Sequence, residues 1–331
     1  MATVDASPVL GLDALTFVGG GLVRPECVLA TRAGELYTAD WRGGVACLRG
    51  DGASRLYTGS LPDGTPLKPN GIALRRDGSF LVTHLGDDAG GVFTLDRAGR
   101  VTSFLDAVDG APLPPTNFVA EDAAGRVWVT VSTRHVPRVS ASRPDVADGF
   151  VLVVDARGAR IVADGLGYTN EALVSPDGRW LYVNETFARR LSRFALRADG
   201  GLANKEVVAE FGAGTFPDGL TFDAEGGIWI TSIVSNRVIR VERDGRQVVF
   251  FEDADSAHLA RAEAAYRAGT MGRTHLDFRG VALANVSSLA FGGPRLRTAY
   301  LGCLLGDRIA AFDAPVAGHP PIHWNYGPFP A

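Results

Sequence analysis

The sequence predicts an all-β fold, a six-bladed β-propeller formed by residues 1–331 as a single domain. One hairpin pattern recurs six times along the chain, and repeats of this period are typical of propellers and solenoids. Each repeat carries about four short strands, which is the content of one propeller blade. No repeat shows a sustained 3.6-residue apolar period, so a helical solenoid is excluded.

The recurring pattern is clearest at residues 216–230. A polar residue there is followed by an apolar run, an acidic turn with Gly and a second apolar run, which predicts a tight β-hairpin. The polar residues that begin the six copies, here called the head residues, are Glu26, Asn70, Asn117, Asn170, Asp218 and Ser287. The further strands that complete the blades are predicted at residues 44–48, 91–95, 150–155, 191–195, 237–241 and 308–312.

Two insertions and a tail interrupt this rhythm. The insertion near 133–149 is predicted to be a surface loop, and the one near 252–280 contains an Ala-rich helical stretch that Ser256 is expected to cap. Long loops on a rigid scaffold often form lids over a site, so both insertions are either lids or packing decoration. The Pro-rich tail, 315–331, is expected to wrap around the outside.

Composition and charge restrict the function. The net charge is −4, whereas a nucleic-acid partner would require a basic surface. No apolar run approaches the roughly 20 residues that span a bilayer, and the N-terminus lacks a secretory signal pattern. The three cysteines are widely spaced, as expected for reduced thiols. We therefore expect a cytoplasmic monomer or small homo-oligomer that acts on a small molecule and binds neither nucleic acid nor membranes.

The head residues predict a site on the propeller axis. The innermost strands of a propeller line its central channel, so equivalent positions of the repeat face one axis. Burying carboxylates and amides there is costly unless a cation compensates them. Oxygen ligands without His or Cys suit Ca²⁺, Mg²⁺ or Mn²⁺. Asn and Asp before Gly are also ordinary turn residues, but five carboxylate or amide heads among six favour a functional axis.

Several short motifs carry a family resemblance over nearly the whole chain. They are Arg24-Pro25-Glu26, Thr116-Asn117, Asn170 with Ser175-Pro176-Asp177-Gly178, and Phe216-Pro217-Asp218-Gly219. On these residues the chain resembles the family of senescence marker protein (regucalcin), gluconolactonase and luciferin-regenerating enzyme. The resemblance implies a six-bladed propeller with one divalent cation, Ca²⁺ first and Mg²⁺, Mn²⁺ or Zn²⁺ as alternatives. The implied ligands are Glu26, Asn117, Asn170 and Asp218.

The implied chemistry is hydrolysis of a lactone or another ester whose carbonyl the metal polarises. Asp218 is expected to be both a metal ligand and the general base or nucleophile, with Glu171 as an alternative base. The residues expected to contact substrate are Asn70, Ser287, Phe118, His84 and His135. The chain departs from sugar lactonases at Pro115, where they carry Arg, and Phe118 favours a more apolar pocket than a sugar requires.

Two other function classes remain open from the sequence. One is isomerase, lyase or strictosidine-synthase-like chemistry on the same fold, and the other is a non-catalytic propeller that binds a partner. The fold alone does not choose among them, because propellers host many functions. The ring of oxygen ligands favours the enzymes, since an interaction propeller has no need of buried carboxylates.

Overall fold

A computed structural model describes residues 8–50 and 52–329, and it contains the six four-stranded antiparallel sheets of the predicted propeller. Blades 1 to 5 each come from one continuous stretch of chain. Their strands are Val28–Ala30, Leu36–Asp40, Gly44–Leu48 and Ser54–Thr58 in blade 1; Pro69–Leu74, Phe80–His84, Val92–Leu95 and Val101–Leu105 in blade 2; Phe118–Glu121, Val127–Val131, Gly149–Asp155 and Gly158–Leu166 in blade 3; Thr169–Val174, Trp180–Glu185, Arg190–Leu196 and Leu202–Glu210 in blade 4; and Phe216–Phe222, Ile228–Ile233, Arg237–Val241 and Gln247–Phe251 in blade 5.

Blade 6 joins the two ends of the chain. Its three inner strands are Val286–Gly292, Thr298–Cys303 and Ile309–Asp313. Its outer strand is Thr16–Val18, which lies antiparallel to the third strand with Thr16 opposite Ala311. The hairpin pattern did not predict this N-terminal strand. Pairing both ends of the chain in one sheet closes the ring and protects an edge that would otherwise be open.

Neighbouring blades pack through buried aromatic and aliphatic side chains. Trp128 of blade 3 and Trp229 of blade 5 occupy equivalent positions and are almost fully buried. Their indole Nε1 atoms donate to the Oδ2 atoms of Asp122 (2.9 Å) and Asp223 (2.8 Å), respectively. The same arrangement therefore recurs in two blades of the repeat: a buried indole ring whose N–H group donates to an Asp carboxylate.

The channel has two distinguishable ends. The inner strands begin at one end, here called the upper end, and their hairpin turns lie at the other, lower end. Both insertions connect strands at the upper end: residues 132–148 join two strands of blade 3, and residues 252–285 join blades 5 and 6. The longer insertion contains the helices Ser256–Arg267 and Arg273–Leu276. No helix in the described part of the chain has the length and apolarity needed to cross a membrane.

The residue that caps the first helix is not Ser256 but the residue before it. The carboxylate of Asp255 accepts a hydrogen bond from the backbone N–H of His258 at 2.6 Å. The sequence alone does not distinguish the two residues, because Asp and Ser are comparable N-caps and stand side by side here. The helix thus includes Ser256 as its first residue.

The two insertions pack on each other above blades 4 and 5. The first contains the short 3₁₀ helix Arg138–Ala141, and Ala141 is fully buried. It belongs to one apolar cluster with Ala262 and Tyr266 of the long helix and with Phe216 of blade 5. The insertions therefore form one cap over part of the upper end.

The tail does not wrap around the outside as expected. It crosses the lower end of the channel, where His319 N donates to Phe222 O (2.9 Å) and Arg32 N donates to Trp324 O (2.8 Å). The 3₁₀ helix Ile322–Asn325 lies in this crossing. The channel wall at this end is apolar, and the tail supplies Pro and aromatic side chains that cover part of it.

Candidate active site on the propeller axis

A β-bulge places the head residue in four of the six blades. In blade 5, Pro217 pairs with Ser232 and Leu220 pairs with Ile230, so Asp218 and Gly219 together face a single residue. Register shifts occur at the same point in blades 2, 4 and 6. A bulge inserts an extra residue and re-aims its side chain, which is common beside active sites. The repeated bulge is the local reason that these polar side chains leave the ordinary strand alternation.

The Gly residues that follow two heads serve packing between blades, not turns. A Cβ atom on Gly71 would lie 2.7 Å from Phe118 Cα, and one on Gly219 would lie 2.5 Å from the backbone oxygen of Ser287. Each contact is with the inner strand of the next blade. The turn interpretation of these Asn-Gly and Asp-Gly pairs is therefore wrong, because Gly is needed there for close approach.

Hydrogen bonds join the heads of blades 1, 2 and 3. Asn70 Nδ2 donates to Glu26 Oε1 at 2.8 Å and lies 3.5 Å from Asn117 Oδ1. Arg24 pairs with the other carboxylate oxygen of Glu26, and its Nη1 donates to Asn70 Oδ1 at 2.8 Å. Arg24 was missed as a site residue, although it stands two positions before Glu26 in the sequence.

Hydroxyl groups on neighbouring strands orient two of the predicted amide ligands. Asn117 Nδ2 donates to Ser132 Oγ at 2.9 Å, and Asn170 Nδ2 donates to Thr186 Oγ1 at 3.2 Å. Each bond commits the amide nitrogen, and among the described residues the amide oxygen of Asn117 has only the long hydrogen bond from Asn70 Nδ2 at 3.5 Å. Asn170 Oδ1 is buried and has no hydrogen-bond partner in the described part of the chain. Such an orphaned acceptor is costly and indicates a missing partner.

Asp218 has a similar unmet need. Its side chain is buried, and within residues 8–50 and 52–329 no hydrogen bond reaches its carboxylate. Burial raises the pKa of the Asp218 carboxyl well above its ordinary value, and the nearby charge of Glu26 adds to the rise. The guanidiniums of Arg24 and Arg138 oppose this shift. The carboxylates of the two acidic head residues, Glu26 and Asp218, are thus close enough for the charge of one to shift the pKa of the other.

These residues fit a hard divalent cation. Two carboxylates and two amide oxygens are the donor types that Ca²⁺ prefers, and Asn170 Oδ1 has no hydrogen-bond partner among the described residues. No cluster of three His, Cys, Asp or Glu side chains with metal-binding geometry occurs among the described residues. The predicted set would not form one, since two of its four members are Asn. A bound cation would share Glu26 with Arg24, because the guanidinium already pairs with that carboxylate.

Glu171 lies on the lower side of the head residues. Its Oε2 accepts a hydrogen bond from Leu220 N at 2.9 Å, and the side chain lines the channel cavity beneath the axis. Burial raises the pKa of this carboxyl well above its ordinary value, and the charges of Asp218 and Glu26 raise it further. The structure therefore separates Glu171 from the upper end where the insertions lie.

The residues predicted to contact substrate do not come together as one set. Ser287 Oγ donates to the Glu26 backbone oxygen at 3.1 Å, and Phe118 lines the lower cavity. His84 Nδ1 accepts from the backbone N–H of Lys68 at 3.0 Å. His135 Nδ1 lies 2.9 Å from Asp148 on a half-exposed loop. Of these five residues, only Asn70 forms hydrogen bonds with the side chains of other heads.

Arg138 is a second site residue that sequence reasoning missed. Its Nε donates to the Tyr168 hydroxyl at 3.0 Å, and its Nη2 donates to Ser132 Oγ at 3.2 Å. Ser132 is the residue that orients Asn117, so the first insertion connects directly to a predicted metal ligand. The insertion has no counterpart in the other repeats, so the repeat pattern gave no signal for this residue.

The lower end of the channel is an apolar cavity of about 400 Å³. Inner-strand side chains such as Leu74, Phe222 and Phe291 form its wall, and tail residues 319–323 cover part of it. His323 of the tail is buried, and its Nε2 has no hydrogen-bond partner among the described residues. Burial lowers the pKa of His323 to about 4.

Comparison with known proteins assigns the chain to a family. The family model described as the SMP-30/gluconolactonase/LRE-like region matches residues 24–252. The chain belongs to this family. A relative named 6-deoxy-6-sulfogluconolactonase, from Pseudomonas putida, is 32% identical over 179 residues, 53% of this chain and 57% of the relative. A pentonolactonase from Haloferax volcanii is 28% identical over 244 residues, 72% and 67% of the two chains. The match to the first relative thus spans a little more than half of its length.

Solved structures support the fold. A gluconolactonase from Xanthomonas campestris superposes with a TM-score of 0.67 at 20% identity, covering 94% of this chain and 96% of that one. Regucalcin from Agrobacterium tumefaciens, described as calcium-binding, gives the same TM-score and identity over 94% and 97%. Virginiamycin B lyase from Staphylococcus aureus has a TM-score of 0.56 at 13% identity, over 90% and 98%. At these identities the likeness establishes the six-bladed propeller and nothing finer.

Proposed function

We propose that this member of the family is a divalent-metal-dependent hydrolase of lactones or related esters, acting at the upper end of the channel. The observation that carries the proposal is Asn170 Oδ1, a buried acceptor without a hydrogen-bond partner among the described residues, next to the Asp218 carboxylate, which no hydrogen bond reaches there. Buried acceptors without partners are retained where a ligand or ion completes them. The names of the two curated relatives indicate lactones as the substrate class.

The residues that would hold the cation are Glu26, Asn117, Asn170 and Asp218. Ca²⁺ is the expected metal because all four donors are oxygens, with Mg²⁺, Mn²⁺ and Zn²⁺ as alternatives. When bound, such a cation supplies Lewis-acid polarisation of the ester carbonyl and stabilises negative charge on its oxygen. Ser132 and Thr186 accept from the amide nitrogens of Asn117 and Asn170 and so fix the orientation of both amide groups.

In the proposed reaction, Asp218 acts on the bonds that form and break. As general base, its carboxylate takes a proton from water while the water oxygen bonds to the carbonyl carbon. The ring C–O bond then breaks, and the proton passes from Asp218 to the departing oxygen. As nucleophile, the same carboxylate would bond to the carbonyl carbon while the ring C–O bond breaks and the ring oxygen takes a proton from water. The hydroxide left from that water would then cleave the resulting anhydride, which restores the Asp218 carboxylate and releases the hydroxy acid. The cap formed by the two insertions lies above blades 4 and 5, at the same end of the channel as Asp218.

The experiment combines metal analysis with a substrate panel. The purified protein is analysed for bound metals, depleted with a chelator, and assayed on γ- and δ-lactones, aryl esters and organophosphates before and after each cation is restored. We expect lactone hydrolysis that depletion removes and Ca²⁺ restores. Full activity in the depleted protein would refute the metal requirement. Inactivity on every ester with every cation, or an elimination product, would refute the hydrolase.

A further inference from the structure

Arg138 brings an unpaired positive charge to the upper end of the axis. Its side chain is half-buried, and no carboxylate of the described residues lies within ion-pairing distance of it. The other arginines at nearby positions of this insertion are paired: Arg134 with Asp164 and Arg143 with Asp145. Arg138 is therefore the exception in its own loop.

The guanidinium is held in a fixed position. Tyr168, whose hydroxyl accepts from Arg138 Nε, packs edge-on against Phe187 with 4.6 Å between the ring centroids. Ser132 Oγ accepts from Nη2 and is itself tied to Asn117. Of the five N–H groups of an arginine, these bonds use two, which leaves three for a ligand. A fixed guanidinium with free N–H groups matches the geometry of carboxylate, sulfonate or phosphate oxygens.

The charges around the axis also favour an anion. Arg24 and Arg138 balance the carboxylates of Glu26 and Asp218, so a bound divalent cation leaves the upper end with excess positive charge. Glu171 lies on the other side of the head residues and is hydrogen-bonded there to Leu220 N. A neutral substrate would leave this excess uncompensated in a partly desolvated site.

We propose that the substrate carries an anionic group in addition to the ester bond, and that Arg138 binds this group. The inference rests on the proposed hydrolase function and specifies its substrate class: a lactone or ester that bears a carboxylate, sulfonate or phosphate. Arg138 thus determines specificity through the part of the substrate that does not react.

The test uses two lactones that differ by one carboxylate. D-glucaro-1,4-lactone carries it and D-glucono-1,4-lactone does not. We expect the wild-type protein to prefer the first, and Arg138→Gln to lower its kcat/KM by roughly 10- to 100-fold, mainly through KM, because a charged hydrogen bond is lost. The neutral lactone should lose clearly less, because it makes no charged hydrogen bond to Arg138 and is affected only through the bond from Arg138 to Ser132. Arg143→Gln, an exposed ion-paired arginine of the same insertion, is the matched control and should change neither.

The outcomes separate this inference from the function on which it rests. An equal loss on both lactones would place Arg138 at the reacting ester and overturn the anion site, as would a wild-type preference for the neutral lactone. If neither lactone is hydrolysed, calorimetric binding of the same two intact lactones decides the matter without catalysis. Tighter binding of D-glucaro-1,4-lactone that Arg138→Gln removes supports the anion site, and equal binding of the two lactones overturns it.

Discussion

The upper end of the channel presents oxygen atoms of Glu26, Asn70 and Asp218, whereas the lower end presents Leu74 and Phe222. Both ends are formed by the same inner strands. In blade 5 the strand passes from Asp218 at the bulge to Phe222 within five residues, and blade 2 passes from Asn70 to Leu74 in the same way. Each inner strand thus changes from polar to apolar along its own length.

The comparison shows that the energetically costly buried polar groups of the site are restricted to one level of the channel. Buried acceptors are expensive, so they occur where bulges gather them and where a ligand can complete them. Below that level the channel wall is apolar and the tail covers it, which contributes hydrophobic stabilisation. Function is therefore expected to depend on the upper end, and stability on the lower end.

The test of this division with the largest expected effect compares substitutions of two acidic residues, one near each end of the inner strand of blade 5. Asp218→Asn removes the proposed base or nucleophile, and we expect turnover of the true substrate to fall roughly 10²- to 10⁴-fold. Stability should be unchanged or higher, because an unpartnered buried carboxylate is lost. Asp223→Asn, which directly follows the lower end of the same strand, is the control. It weakens the bonds from Trp229 and Arg240 and should lower stability while sparing turnover.

Activity assays and denaturant unfolding of both variants measure the two effects. Near-normal turnover in Asp218→Asn would remove the proposed chemistry. A large loss of turnover in Asp223→Asn with an intact fold would show that the division between the ends is wrong.

The sequence predicted those parts of the molecule that repeat. The six hairpins and their heads recur with the same local pattern, so one copy supports the others. The bulges were not predicted, because Asn70-Gly71 and Asp218-Gly219 have the same composition as turns. Their true cause is contact with the next blade, whose contacting residue is far away along the chain: Phe118 for Gly71 and Ser287 for Gly219.

The parts that occur once were predicted least well. Strand Thr16–Val18 has only three residues and is formed by pairing with the far end of the chain. Arg138 lies in an insertion with no counterpart in other blades, so no pattern distinguished it from its basic neighbours. The tail has no periodicity, and its place across the channel depends on the apolar wall that the assembled blades create.

The next test concerns the pH dependence of the lower end. Burial lowers the pKa of His323 from 6.5 to about 4, so the unfolded chain binds this proton more readily than the folded one. Stability should therefore fall as the pH decreases from about 6.5 to about 4, by about 3 kcal/mol in total. Turnover at neutral pH should be unaffected, because His323 lies at the opposite end from Asp218.

Denaturant unfolding between pH 4 and pH 7 measures this loss. His323→Phe should flatten the profile, since the buried group that must lose its proton is gone. His319→Phe is the control from the same tail segment, and its profile should follow that of the wild type. An unchanged profile in His323→Phe would assign the acid sensitivity to other groups.

The smallest expected effect concerns the close contact between blades 5 and 6 at the bulge. Gly219→Ala places a Cβ atom 2.5 Å from the backbone oxygen of Ser287, so blades 5 and 6 must separate slightly at the bulge. We expect a loss of about 1–3 kcal/mol in the free energy of unfolding, as for other overpacked sites. Turnover should fall as well, since the shift moves Asp218. Gly20→Ala, which meets no atom within 4 Å, is the matched control. If Gly219→Ala kept both stability and turnover, close approach of the blades would not be what positions the head residue.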